Sequence, residues 1–280
     1  MADPTGVPAR GAGAARLTQV TARRWVDRWD EQQQAYLPDR EDRFTAMIDV
    51  VQETAGRPDP LVLDLGCGPG SLAVRLLDQI PAARVVAIDA DPLLLALGRA
   101  AWADRLADSG GPGIRFAEQD LRAAGWSGAL GLARPADAAV STTALHWLSP
   151  KALAAMYAEV AAALRPGGLM LNGDHLSEDP DTAPTLARLG RALLDRAERR
   201  SPAAPCAETW TGWWEAARAD SDLAGLATAR ERICLESGHH GSPSGRLAVH
   251  VAALRAAGFA EVGTLWQRGD DRLLCAVMPG

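Results

Sequence analysis

The sequence predicts an α/β fold: a seven-stranded, mostly parallel sheet that ends in an antiparallel hairpin, with a helical insertion ahead of that hairpin. Three features carry the prediction. Between residues 61 and 172 short apolar runs alternate with helix-length segments, the pattern of parallel strands joined by crossover helices. Four of those runs are nearly continuous apolar stretches, as expected when helices cover both faces of a sheet. The last two runs, 261–267 and 272–278, flank Gly269-Asp270-Asp271, a composition that suits a tight hairpin turn.

Taken in order, residues 1–16 are Gly, Ala and Pro with scattered charge, and they read as a disordered tail before a single domain spanning 17–280. Residues 17–37 read as a helix with Trp25, Trp29 and Tyr36 near one face, broken by Pro38. In the next helix Phe44, Met47, Ile48 and Val51 stand at i, i+3, i+4 and i+7, a single buried stripe, and Gly56 and Pro58 stop it. Strands are expected at 61–65, 84–89, 114–117, 138–142 and 168–172, with helices at 71–79, 92–107 and 150–164. Beyond Asn172 the alternation ceases. Residues 174–245 read as a helical cap insertion holding Trp210, Trp213 and Trp214, and a helix over 246–257, stopped by Gly258, leads into the hairpin.

Composition narrows the function. The net charge is −6 at pH 7, so affinity built on neutralising many phosphates is not expected, and nucleic acid is not a predicted partner. Four cysteines (67, 206, 234 and 275) stand far apart with no CxxC pair, which predicts a reduced, cytoplasmic chain without a paired-cysteine zinc site. No apolar run approaches the roughly 18 residues of a membrane span, so no membrane role is expected.

The chemistry concentrates at Val62-Leu-Asp-Leu-Gly-Cys-Gly-Pro-Gly70-Ser. An apolar strand ends at Asp64 and Leu65, and Gly66, Gly68 and Gly70 then open a helix. Glycines let the backbone turn sharply and let a ligand reach main-chain N–H groups, while the helix start favours negative charge. Asp89 ends the next strand, where a carboxylate can accept hydrogen bonds from both hydroxyls of a ribose.

These residues resemble the class I S-adenosylmethionine-dependent methyltransferases, small-molecule type. Asp64-Leu-Gly-Cys-Gly-Pro-Gly70 looks like their first motif, Ile88-Asp-Ala-Asp-Pro92 like their second, and Phe116-Ala-Glu-Gln-Asp-Leu121 like their third. Residues 137–147, Leu164-Arg-Pro-Gly-Gly-Leu169 and Ala256-Ala-Gly-Phe259 are similar to the later motifs, in the family's order. The resemblance implies a Rossmann-like sheet and S-adenosylmethionine as cofactor. Gly66, Gly68 and Gly70 would line its methionine part, and Asp64 would act on its amino group. Asp89 would hold the ribose and Ala90 would lie against the adenine. Asp120 with Leu121 would read the adenine edge, while Ser141 and Thr142 would bound the sulfonium. The helix at 17–37 and the insertion would form a lid.

On the acceptor side, His146 and Trp147 follow the fourth strand, and Asp174 and His175 follow the fifth, on the edge where open α/β sheets bind ligands. His146 is the candidate general base. Trp25, Trp29, Trp147, His175 and His240 (beside His239) are the candidate substrate contacts; Trp25, Trp29 and the cluster Trp210, Trp213 and Trp214 read either as an aromatic acceptor pocket or as ordinary helix packing. No metal is predicted. The expected activity is methyl transfer to a small organic acceptor, with bacterial secondary metabolism as one setting. The alternatives are a non-methyl reaction with the same cofactor, such as a cyclisation, or a non-catalytic regulatory partner.

Overall fold

A computed structural model describes residues 17–108, 110–200, 208–232 and 245–280. The tail at 1–16 and both His239 and His240 fall outside the described residues. Two helices lead in, α1 (Gln19–Tyr36) and α2 (Arg40–Ala55). The Thr18 side chain accepts the Thr21 amide at 3.2 Å and caps α1, whose buried face is Ala22, Trp25, Val26 and Trp29. The alternating core follows: β1 (Leu61–Leu65), α3 (Ser71–Gln79), β2 (Arg84–Asp89), α4 (Pro92–Ala101), β3 (Gly113–Glu118), α5 (Trp126–Ala129), β4 (Ala136–Thr142), α6 (Pro150–Ala163) and β5 (Leu164–His175). Then come α7 (Pro184–Arg200), α8 (Trp210–Ala219), α9 (Ala224–Glu231), α10 (Leu247–Ala256), β6 (Glu261–Arg268) and β7 (Asp271–Val277).

The seven strands form one sheet in the order β3-β2-β1-β4-β5-β7-β6. The first five are parallel, and β7 runs antiparallel between β5 and β6. Because strand side chains alternate faces, Val62 joins the core beneath α1–α4 and α8, while Leu61, Leu63 and Leu65 join the core beneath α5, α6 and α10. The strand order reverses at β1 and β4, and the carboxyl ends of this pair open the crevice where doubly wound sheets take ligands.

Three local departures from the sequence expectation have physical causes. The helix expected over 92–107 ends at Ala101, because Leu106 forms a parallel bridge with Ile114 and the Ala107 amide donates to the Ile114 carbonyl, which draws the chain out beside β3. Strand β5 extends to His175, since Asp174 and His175 pair with Arg272 and Asp271 of β7. Both residues therefore belong to the sheet and not to the insertion. The insertion itself divides: α8 and α9 pack on α1 and α4, whereas α7 lies against β6, with Gly190 beside Asp270 in the hairpin turn. Among the described residues, no helix is long and apolar enough to cross a membrane.

Candidate active site

A cavity of about 430 Å³ opens at the β1/β4 switch point. Its inner wall is the loop after β1. Gly66 and Cys67 both donate their amides to the Ile88 carbonyl, at 2.8 and 3.0 Å, which pins the loop across β2. Gly66 has φ +69°, and a Cβ there would lie 2.3 Å from the Cβ of Ala144, so only glycine fits against the chain leaving β4. Asp89 braces the loop from the next strand, accepting the Gly68 amide at 2.8 Å and the Asp91 amide at 2.9 Å.

The acids here are held in unusual states. Burial, reinforced by the charge of Asp89, pushes Asp64 up to about 7. Its two carboxylate oxygens have no partner at hydrogen-bonding geometry, and only the nearby Ala73 amide lowers its pKa. Burial likewise raises Asp89 to about 6 against the opposing amides of Asp91 and Gly68. Asp91 caps α4 by accepting the Leu93 and Leu94 amides, and it also receives Arg230 of α9 at 2.6 Å. Asp120 pairs with Arg122 at 2.9 Å.

The opposite wall comes from β4 and β5. Thr143, at φ +50°, is the one described non-glycine residue in the left-handed region, and that bend carries the chain from β4 into the turn holding His146. The Nδ1 atom of His146 lies 2.8 and 3.0 Å from the two oxygens of Asp174, and the His175 amide donates to Asp174 Oδ1 at 2.8 Å. Burial alone would raise Asp174, but His146 outweighs it and holds the acid at about 2. An ionised Asp174 only accepts, so Nδ1 carries the hydrogen and Nε2 presents a lone pair when the ring is neutral. Burial would lower His146, yet the charge of Asp174 and its hydrogen bond together outweigh it and hold the ring above its usual 6.5. His175 is pushed down to about 4 by burial and is neutral near pH 7.

Residues 62–168 match the family described as "Methyltransferase domain". Over that stretch the chain is similar to a methyltransferase domain. Trans-aconitate 2-methyltransferase of Azoarcus sp. is 32% identical over 142 residues, covering 51% of this chain and 49% of that protein. Release factor glutamine methyltransferase of Deinococcus radiodurans is 38% identical over 158 residues, covering 50% and 53%. The chain thus spans about half the length of these relatives. Magnesium protoporphyrin IX methyltransferase of Synechocystis PCC 6803, solved with bound SAH, superposes over 93% of this chain and 99% of its own, at a TM-score of 0.52 and 17% identity. That likeness is one of fold.

The cavity is lined by Gly66, Gly68, Asp89, Ala90, Asp120, Leu121 and Thr142, together with His146, Trp147 and His175. Trp29 of α1 reaches it from outside. Four other candidates stand behind the wall. Asp64 is buried beneath the loop, and Gly70 packs close to the Phe116 ring. Ser141 donates its hydroxyl to the Leu65 carbonyl at 2.8 Å and ties β4 to β1. Trp25 does not line the cavity: its indole packs edge-on against Trp213 at 5.4 Å and donates to Asp220 at 3.3 Å, a core contact one helical turn from Trp29. Among the described residues no group of His, Cys, Asp and Glu is arranged to hold a metal ion.

The sequence expectation omitted several residues at this site. Gln32, Tyr36, Arg40 and Arg230 line the cavity, as do Trp210 and Trp214 of the insertion, which the sequence left open between acceptor pocket and packing. Arg43, fully buried on α2, donates to the Thr142 hydroxyl at 2.7 Å and pairs with Asp271. Arginine cannot accept, so the Thr142 oxygen must receive that hydrogen bond and its own proton is left for the cavity side.

Proposed function

We propose that this chain transfers the methyl group of S-adenosylmethionine to a small-molecule acceptor, with His146 taking the acceptor's proton. The His146–Asp174 pair carries this reading, because it stands on the wall of the same cavity that the glycine loop and Asp89 line. The residues present suit the cofactor. A cationic amino group in the cavity would favour the ionised form of Asp64, which lies beneath the loop without a hydrogen-bond partner. Each oxygen of Asp89 holds one amide and keeps a lone pair for a ribose hydroxyl. Ala90, Asp120 and Leu121 would meet the adenine, and Gly66 leaves bare backbone toward the methionine part.

When bound, S-adenosylmethionine supplies a methyl carbon on a positively charged sulfur and needs no further activation. The protein's own task is alignment, which can supply roughly 7–11 kcal/mol of a barrier. Thr142 and Trp147 bound the acceptor, and Nε2 of His146 receives its proton. Asp174 holds the ring in the matching tautomer and stabilises the imidazolium that forms. Trp29, Trp210, Trp214 and Arg230 close the outer side and limit water, so α1 with α8 and α9 would serve as the lid. The relatives named for methylating trans-aconitate support a small acceptor, and the net charge of −6 sets the chain apart from nucleic-acid binding.

Replacing His146 with Gln keeps a side chain that can hydrogen-bond but removes the proton acceptor. The expected loss is about 10²- to 10⁴-fold in kcat with cofactor affinity unchanged. A variant turning over at the wild-type rate would reduce His146 to an orienting residue.

A further inference from the structure

The geometry points to a flat aromatic alcohol, a ring bearing a phenol-type hydroxyl, as the acceptor, laid along a wall of indoles between the glycine loop and His146. The inference rests on the methyl-transfer reading above.

The wall is continuous. A Cβ at Gly68 would stand 3.7 Å from Cζ2 of Trp29, so the indole lies directly over the loop. Trp29 meets Trp210 at 5.3 Å between ring centroids. Trp210 and Trp147 are stacked at 6.3 Å with only 26° between their planes, and Trp147 meets the His146 ring at 5.2 Å and 33°. Trp147 is 41% exposed, unlike the buried Trp25 and Trp213. Large indoles lining a cleft favour an aromatic ring, through both area and ring–ring geometry.

Charge separates this acceptor from a polycarboxylate such as the one named for the relatives. Among the described residues, each arginine lining the cavity is paired with an acid: Arg40 with Asp30, Arg122 with Asp120 and Arg230 with Asp91. His146 is matched by Asp174, and His175 is neutral. Among the described residues, four lining side chains have a buried polar atom without a hydrogen-bond partner: Nη1 of Arg40, whose guanidinium charge is shared with Asp30, and three neutral groups, the Gln32 amide, the Trp214 indole N–H and the His175 Nε2. Such groups suit hydroxyl or carbonyl oxygens, and they would leave several buried carboxylates uncompensated. In the reaction the acceptor's O–H proton goes to Nε2 of His146 and its oxygen gains the methyl carbon. The broken C–S pair stays on sulfur, and His146 later returns the proton to solvent.

The test titrates 2-naphthol and trans-aconitate into the full-length protein saturated with S-adenosylhomocysteine, followed by tryptophan fluorescence and calorimetry. The expected result is quenching by 2-naphthol and binding at least about tenfold tighter than trans-aconitate. Trp147→Ala should weaken the naphthol by roughly tenfold or more while Trp147→Phe retains it. Tighter binding of trans-aconitate, no binding of naphthol, or naphthol affinity indifferent to Trp147→Ala would overturn the aromatic acceptor and leave methyl transfer standing. Failure of S-adenosylhomocysteine itself to bind would overturn both.

Discussion

Nδ1 of His146 sits 2.8 Å from Oδ1 of Asp174, joining the turn after β4 to the end of β5. The two residues are 28 apart in the chain and become neighbours because β4 and β5 run parallel and adjacent, with Thr142 opposite Gly173. That placement turns a surface-edge histidine into an oriented one.

The pair sets a pH dependence. His146 acts as a base only when neutral, so kcat/KM should rise with pH through a value above 6.5, the direction in which Asp174 moves the ring. Asp174→Asn removes the charge, burial and the nearby Arg43 charge then act unopposed, and the limb should shift to lower pH while the rate falls by about 10²- to 10⁴-fold. A pH–rate profile of both proteins checks this, and an unmoved limb would contradict it. Stability follows the same linkage. The raised histidine contributes fully below 6.5 and loses its contribution as pH rises through its folded value, while Asp174, at about 2, contributes above 3.8 and loses its share as pH falls toward 2.

Cofactor binding should release protons. Asp64 at about 7 and Asp89 at about 6 are partly protonated near neutrality in the free protein. A cationic ligand favours their ionised forms, so affinity for S-adenosylmethionine should weaken as pH falls from 7 to 5. Calorimetry in buffers of different ionisation enthalpy reads the released protons directly. Equal apparent enthalpies in all buffers at pH 6.5 would show that neither acid titrates on binding.

Arg43 predicts a stability effect of a different origin. Arg43→Met strands Asp271, which is buried, and a broken buried pair costs about 3–5 kcal/mol. Tm should drop by roughly 5–10 °C, and Arg43→Met with Asp271→Leu should recover much of it. Scanning calorimetry of the two variants separates this from a loss of the Thr142 contact, which the double variant would not restore.

The sheet and the glycine loop were legible because their signals are local: apolar runs of strand length, and glycines at a strand's end. Arg43 was missed, although the signal was there: it stands four residues before Met47 on the stripe that buries Phe44, Ile48 and Val51, where a charge must find a partner. The Arg230–Asp91 bridge carries no such local mark, because it spans 139 residues and depends on how α9 docks on α4. Trp25 and Trp29 lie one turn apart on the same helix face and both meet Trp213, and only the docking of α8 decides that the second also reaches the cavity. The end of α4 was misplaced for a similar reason, the pull of β3 on Leu106.

The most direct measurement is calorimetric titration of S-adenosylmethionine into the wild type and into Asp89→Ala, with folding of the variant confirmed by thermal scanning. Asp89 is the charged acceptor at the centre of the loop wall, and losing hydrogen bonds to a charged group removes about 1.5–3 kcal/mol. The expected result is one site in the wild type and affinity lowered roughly 10- to 150-fold in the variant. No binding by the wild type, or equal affinity in a folded Asp89→Ala, would contradict the assignment of this cavity to the cofactor.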